Sequence, residues 1–284
     1  MDYQWYPGHM TKTIRELQEN MKLIDLVIEI ADARIPYSGR NPEIDRLAEG
    51  KSRLIFLGKD DLADPAQTER WSAYFRERGI MPYACDLRNR SSLKGAGAVI
   101  REAVKEKTER LKRRGITGRP IRAMVAGIPN VGKSTFINSF SGSSSAKTGN
   151  RPGVTKGRQW IRISKDIQLL DTPGLLWPKF ENREIGQKIA FIGSMPDTIL
   201  DTAELACELI VFLRERDAYR NFSEKRYGVA CDGEPSSVLE QIGRARGCLR
   251  AGNVVDLEKA ARVLLDDFRS GRLGRITLET VDEI

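Results

Sequence analysis

The sequence predicts an α/β fold, a mostly parallel sheet with flanking helices, followed by a small all-α domain. Two patterns carry this expectation. Short apolar runs alternate with helix-period segments through the first two-thirds of the chain, as parallel strands joined by crossover helices do. Beyond about residue 197 the strand signals fade and only amphipathic helical patterns remain. The expected division is therefore 1–196 and 197–284.

The elements follow in order. Ile14, Leu17, Met21 and Ile24 recur at helical spacing after the opening "WYPGHM", so a short amphipathic helix is expected there. "LIDLVIEIAD" reads as a buried strand that ends in the loop "DARIPYSGRNP", and "RLIFLG" reads as a second. A helix in "PAQTERWSAYFRERG", a strand in "IMPYACD" and a long helix from about Leu93 to Arg114 come next. Strand "IRAMVAG", a glycine-rich turn, helix "KSTFINSF", and strands "GRQWIRIS" and "DIQLLD" complete the first part. "DTAELACELIVFLRERDAYRNF", "PSSVLEQIGRARG" and "DLEKAARVLLDDFRSGRLG" are the helices of the second.

At 284 residues and 40% hydrophobic, the chain can bury a sizeable core. No apolar run approaches the roughly 18 residues that a membrane span requires. The first twenty residues lack the basic-then-apolar order of a secretory signal, so a cytoplasmic protein is expected. Four cysteines without a C-x-x-C pair argue against a zinc knuckle or a disulfide framework. The formal charge of +8 suggests a polyanionic partner. Residues 201–284 hold 13 Lys/Arg against 16 Asp/Glu, so the basic excess lies in the first 200, especially over 101–122 and from Lys147 to Lys165. Residues 101–114 are either a solvated helix face or a surface for a polyanion.

The chemistry is carried by Gly127-Ile128-Pro129-Asn130-Val131-Gly132-Lys133-Ser134, which fits G-x-x-x-x-G-K-[ST] between a strand and a helix. Backbone N–H groups from Asn130, Val131, Gly132, Lys133, Ser134 and Thr135 are expected to wrap phosphates at the helix N-terminus. Lys133 would reach the β/γ oxygens and the Ser134 hydroxyl would ligate Mg²⁺. Downstream, Asp171-Thr172-Pro173-Gly174 ends a strand. Asp171 can hold Mg²⁺ through water, and the Gly174 amide can sense the γ-phosphate. Between them, Thr155 in "RPGVTKG" can close over the metal. This order predicts a GTPase-type switch that binds GTP and GDP.

The base-reading segment decides between nucleotides. In ordinary G domains N-K-x-D follows the phosphate motifs, its Asp accepting from guanine N1–H and the 2-amino group. Here the candidate is Gly58-Lys59-Asp60-Asp61, upstream of the phosphate loop. The chain therefore reads as a circularly permuted P-loop GTPase domain.

The permuted order, "WYPGHM", "DARIP" followed by "RNP", "GIPNVGKST", "RPGVTKG", "DTPG", "IGRARGCLR" and "FRSGRLGRI" together resemble the bacterial ribosome biogenesis GTPase A family over nearly the whole chain. The resemblance implies a cytoplasmic GTPase that acts in late assembly of the large ribosomal subunit and is stimulated by it. Its partners would be that subunit and its rRNA, not DNA or a membrane, with a monomer as the default. The tail is similar to the family's RNA-contacting domain, and Arg244, Arg246, Arg250, Arg269, Arg272 and Arg275 are the candidate phosphate contacts. A salt-bridged solvent face is the competing reading of the same arginines.

One departure bears on affinity. The family carries Asn where this chain has Gly58, so guanine preference through Asp61 and the stem of Lys59 is expected to persist with weaker binding. Cys85 and Asp86 stand where relatives have Ser-Ala, a contact made mainly by backbone.

Two residues carry open alternatives. Where Ras-like enzymes place a water-orienting glutamine after D-x-x-G, this chain has Leu175, which cannot hydrogen-bond a water. The lone histidine, His9, either positions or activates that water, as the resemblance also implies, or merely begins the first helix and stacks on Trp5. Asn130 either helps hold K⁺, as in potassium-dependent GTPases of similar pattern, or shapes the loop. The competing functional classes are a GTP-driven enzyme-timer and a GTP-gated RNA-binding module with negligible turnover. A GTPase with a protein or membrane partner is a third.

Overall fold

The computed structural model describes Tyr3, residues 9–142, 159–177 and 180–284, except the side chains of 9–13, 16 and 159. The chain divides into two compact units, one of Met1–Tyr3 with Glu181–Ile276 and one of Gln4–Phe180 with Thr277–Ile284. This differs from the division expected at 196/197 in two ways. The helix at 183–191 belongs to the helical unit, and the last eight residues belong to the sheet unit.

Among the described residues the sheet unit holds a six-stranded sheet. Its strands are β1 (Leu26–Asp32), β2 (Ser52–Gly58), β3 (Met81–Cys85), β4 (Ile121–Ala126), β5 (Gln159–Arg162) and β6 (Ile167–Asp171), in the order β3-β2-β1-β4-β6-β5. All neighbours run parallel except β5, which pairs antiparallel with β6. The central strands lie between helices, so they read as continuous apolar runs rather than alternating ones, and every residue of β1 is buried. The helices of the unit are α1 (His9–Asn20), α2 (Pro42–Leu47), α3 (Pro65–Glu77), α4 (Ala96–Ala103), α5 (Lys105–Arg113) and α6 (Lys133–Ser141). Asn41 and Asp64 cap α2 and α3, each before a proline in the first turn, where no backbone donor is lost.

The single helix expected over 93–114 is two. It starts at Ala96 and breaks at Val104, whose φ of −116° is not helical. Ala96, Ile100 and Val104 are buried, whereas α5 buries no residue, so no packing holds α5 in line with α4.

The returning C-terminal segment is anchored by polar groups as well as by Leu278. The Glu279 carboxylate accepts from the Tyr37 and Ser38 backbone amides and from Ser38 Oγ at 2.6 Å, and the Glu279 carbonyl accepts from Trp71 Nε1 at 3.1 Å. The Leu278 amide donates to the Arg34 carbonyl at 2.8 Å. These bonds hold the loop after β1.

The second unit is built from α7 (Arg183–Phe191), α8 (Thr202–Arg214), α9 (Phe222–Tyr227), α10 (Pro235–Ala245) and α11 (Leu257–Arg269), with a two-stranded ribbon, β7 (Leu249–Arg250) and β8 (Val254–Val255). The helix expected over 201–222 stops at Arg214. After Leu213 the next core side chain is Phe222, and the intervening charged stretch offers nothing to pack.

Candidate nucleotide site

The carboxyl ends of the parallel strands bring the predicted motifs together, the edge where open α/β sheets bind ligands. Asp32 ends β1, Gly58 ends β2, Cys85 ends β3 and Asp171 ends β6, and the phosphate loop runs from β4 into α6. Lys133, Asp171 and Asp61 therefore sit on one edge although the base segment precedes the phosphate loop by about seventy residues.

The phosphate end is polar and buried. Lys133 is 7% exposed and donates from Nζ to the Ile128 carbonyl at 2.8 Å. Burial lowers its pKa to about 8, with Asp171 opposing the shift. Burial raises Asp171 to about 6, with Lys133 and the Thr172 amide opposing. Asp171 Oδ1 is buried without a hydrogen-bond partner, a costly state for a carboxylate oxygen that a cation would relieve. A divalent cation fits here. Asp171 and the hydroxyl of Ser134, in the first turn of α6, are the groups that would hold it. Mg²⁺ usually keeps several waters and phosphate oxygens as ligands beside one or two protein groups. Mg²⁺, when bound, neutralises charge on the phosphoryl oxygens.

The segment after β6 is tied to the phosphate loop. Thr172 Oγ1 donates to the Val125 carbonyl at 2.7 Å, and the Leu175 amide donates to the Gly127 carbonyl at 3.2 Å. A Cβ on Gly174 would lie 2.8 Å from the Pro129 backbone, so only glycine permits this approach. Leu175 itself is 1% exposed, and Asn41 Nδ2 donates to its carbonyl at 3.1 Å. The side chain of His9 and all of Trp5, Tyr6 and Thr155 lie outside the described residues.

The base end is organised by Lys59 together with Asp32 and Arg34, whose roles the sequence reading did not assign. Lys59, in a left-handed backbone conformation with φ of 58°, donates from Nζ to Asp32 Oδ2 at 2.8 Å and to the Asn130 carbonyl at 3.1 Å. Asp32 also accepts a bidentate pair from the fully buried Arg34 at 2.9 and 2.8 Å. Burial pushes the Asp32 carboxyl up, but Arg34 and Lys59 outweigh it and hold it well below the ordinary range. The stem of Lys59 thus spans from the base segment to the phosphate loop. Asn130 has a φ of 60°, a left-handed conformation that Asn tolerates well.

Asp61 Oδ2 accepts from Arg88 Nη2 at 2.7 Å, and Arg88 also reaches Asp86 Oδ1 at 3.1 Å. Asp61 Oδ1 is buried and unpartnered, an acceptor with the chemistry to take the guanine donors. Cys85 is fully buried and its thiol is pushed up to about 12 by burial and by Asp60 and Asp86, so it is not a reactive thiol. Leu87, 2% exposed, packs over Gly58. No spacing rule marks Leu87 or Arg88, because their roles arise from a loop folded back across β2.

The arginines of the helical unit are mostly ion-paired. Arg244 pairs with Glu240, Arg250 with Asp256, and both Arg246 and Arg272 with the buried Asp267. Arg269 donates to the Ala190 and Phe191 carbonyls at 3.0 Å and to both Asp197 carboxylate oxygens at 2.8 Å. Its donors are consumed inside the unit, and it joins the end of α11 to α7.

Residues 122–231 match the family described as 50S ribosome-binding GTPase. Ribosome biogenesis GTPase A of Bacillus cereus is 43% identical, with 100% of this chain and 95% of the relative covered. The chain belongs to the ribosome biogenesis GTPase A family. It is a GTPase, and the nucleotide motifs above are those of a guanine-nucleotide enzyme. Mitochondrial ribosome-associated GTPase 1 of Mus musculus is 32% identical over 97% of this chain and 90% of its own length. The crystal structure of GNP-bound YlqF from Thermotoga maritima superposes with a TM-score of 0.64 at 25% identity, covering 95% of this chain and 98% of that one. Among the described residues no helix is long and apolar enough to cross a membrane.

Proposed function

We propose that this GTPase acts as a timer in assembly of the large ribosomal subunit: the GTP form binds the precursor subunit, and subunit-stimulated hydrolysis releases it. The reading is carried by the two unpartnered carboxylate oxygens, on Asp61 and Asp171, at the guanine and phosphate ends of one strand-end edge. Asp61 selects guanine, Lys59 covers the base, and Lys133 with the amides of the phosphate loop holds the β/γ-phosphates. Ser134, Thr155 and Asp171 hold Mg²⁺, and the Gly174 amide senses the γ-phosphate. Because Leu175 is apolar and buried, the hydrolytic water needs another partner, and His9 takes that role. Arg244, Arg246, Arg250 and Arg272 of the helical unit exchange their acid partners for RNA phosphates; Arg269 remains structural.

The test is GTP hydrolysis with and without purified large ribosomal subunits. Stimulation of at least tenfold is expected, and His9→Ala is expected to lose it while retaining GTP binding. GTP binding without turnover or stimulation would replace the timer by a GTP-gated binding module. An excess of ATP is expected to leave GTP binding unchanged; equal competition would remove the role given to Asp61.

A further inference from the structure

A cluster of unpaired cations on the sheet unit points to a second surface. α5 ends in Arg110, Lys112 and Arg113 and is followed by Arg114, all exposed, and none of the four makes an ion pair or hydrogen bond from its side chain among the described residues. Exposed Lys165 likewise has none. Arg244, Arg246, Arg250 and Arg272 of the helical unit, by contrast, each have an acid partner, although exposed Lys225 and Lys259 there have none.

A favourable helix dipole explains one or two cations in a last turn, each worth about 0.3–1 kcal/mol. It does not explain four within five residues. Arg110, Arg113 and Arg114 are spaced i, i+3 and i+4 and share one face, where like charges destabilise a helix by about 0.2–0.5 kcal/mol per pair. Glu106 and Glu109 stand on the same helix without pairing to them, so this arrangement maintains positive charge rather than cancelling it.

The surroundings are also cationic. One groove of about 890 Å³ beside α5 is lined by Lys51, Arg53, Lys105, Lys107, Arg110 and Arg113, with four acids, and it runs along the amino ends of β2 and β3. A second of about 500 Å³ carries Lys112, Arg119 and Lys165, but Leu111, Ile116 and Ile121 line it too, so it is the more apolar of the two. Asp25, which pairs with Lys107 and Arg119, is nearly buried and leaves their outer faces to solvent. Both grooves lie at the edge of the sheet opposite the nucleotide site.

We infer that the face formed by Arg110, Arg113 and Arg114 at the end of α5 binds the phosphodiester backbone of RNA, giving the GTP-binding unit a contact of its own. The inference rests on the ribosomal reading above for its partner. A phosphate backbone needs unpaired cations and little else. A protein partner needs an apolar or aromatic anchor, and among the described residues the groove beside Arg110 and Arg113 offers only Met81 and Ala103.

The experiment compares the full chain with Arg110→Glu/Arg113→Glu/Arg114→Glu, using purified large-subunit rRNA as the probe, over a range of salt concentrations. Expected is a loss of at least tenfold in rRNA affinity, a salt dependence shallower by roughly 2–3 in log–log slope, and unchanged basal GTP hydrolysis. The Lys triple at the same positions should retain most of the affinity. Equal rRNA affinity for the Glu variant and the parent, or no rRNA binding by the parent, overturns the inference. A loss confined to intact subunits, with rRNA binding unchanged, assigns the face to a ribosomal protein and overturns it too. A parent that binds rRNA through these residues yet ignores large subunits would instead strike at the ribosomal timer and leave the RNA-binding face standing.

Discussion

Gly58→Asn is expected to weaken GTP binding about tenfold, although it restores the residue that the family pattern carries. A Cβ at position 58 would lie 2.6 Å from Leu87 Cδ1 and 3.1 Å from Leu87 Cγ, so the space of the Asn side chain is already filled. Leu87 is 2% exposed and cannot swing into solvent without opening a gap. The same Cδ1 stands 3.0 Å from the position a Cβ would take on Gly132 of the phosphate loop. Leu87 thus packs between the base segment and the phosphate loop, where the Asn would bridge them by hydrogen bonds. Overpacking a filled site costs about 1–3 kcal/mol, roughly 5- to 150-fold if it is expressed in binding. Leu87→Ala alone is also expected to weaken binding, through the gap it leaves. The double variant should recover to within a few-fold of the parent, because Asn then occupies the vacated space. Titration of a fluorescent GTP analogue into the four proteins measures the coupling. Additive losses would show that positions 58 and 87 do not exchange roles.

This pair marks where sequence reading stops. The phosphate loop, Asp171 to Gly174 and the five parallel strands were legible because each rests on local spacing or on a continuous apolar run. The permuted order was legible too, since Lys59 and Asp61 follow a strand as clearly as Lys133 does. Leu87 was not, because its meaning depends on the absence of a side chain 29 positions earlier. For the arginines of the helical unit, the sequence left RNA contact and a salt-bridged face side by side, and it did not show which acids they meet. Asp267 gathers Arg226, Arg246 and Arg272 from three parts of the chain, and only the packing of α11 brings that buried carboxylate to them. The final segment was assigned to the helical domain by proximity in sequence, but Leu278 and Glu279 are buried by contacts with residues some 200 to 240 positions away. Conversely, the α5 cations were visible in the sequence, and only the structure distinguishes them from the paired ones.

Asp171→Asn is expected to separate stability from activity. Burial raises this carboxyl from 3.8 to about 6, so the folded protein without nucleotide or metal binds its proton more tightly than the unfolded chain does. A raised carboxyl pKa contributes stability at low pH, and that contribution is lost as pH climbs through about 6. Above that pH the ionised side chain costs about 3 kcal/mol, from roughly two pH units at 1.36 kcal/mol each. Asn removes the charge, so the nucleotide-free variant should unfold at a higher temperature than the parent at pH 7.5, with the gain fading as pH falls from 6 toward 4. Hydrolysis should move the other way. Loss of the carboxylate is expected to reduce Mg²⁺-dependent GTP turnover about 100-fold or more, since the cation then retains only hydroxyl oxygens from the protein. With Asp171 as a Mg²⁺ ligand, protons and the cation would compete for it in the parent, and the Mg²⁺ concentration giving half-maximal turnover is expected to rise about tenfold per pH unit below 6. Thermal unfolding and a Mg²⁺ titration at pH 5, 6 and 7.5 measure both effects. A variant whose Mg²⁺ requirement matches the parent's would remove Asp171 from the metal site, whereas one that is destabilised at pH 7.5 would show that Lys133 depends on this carboxylate more than the carboxylate costs the fold.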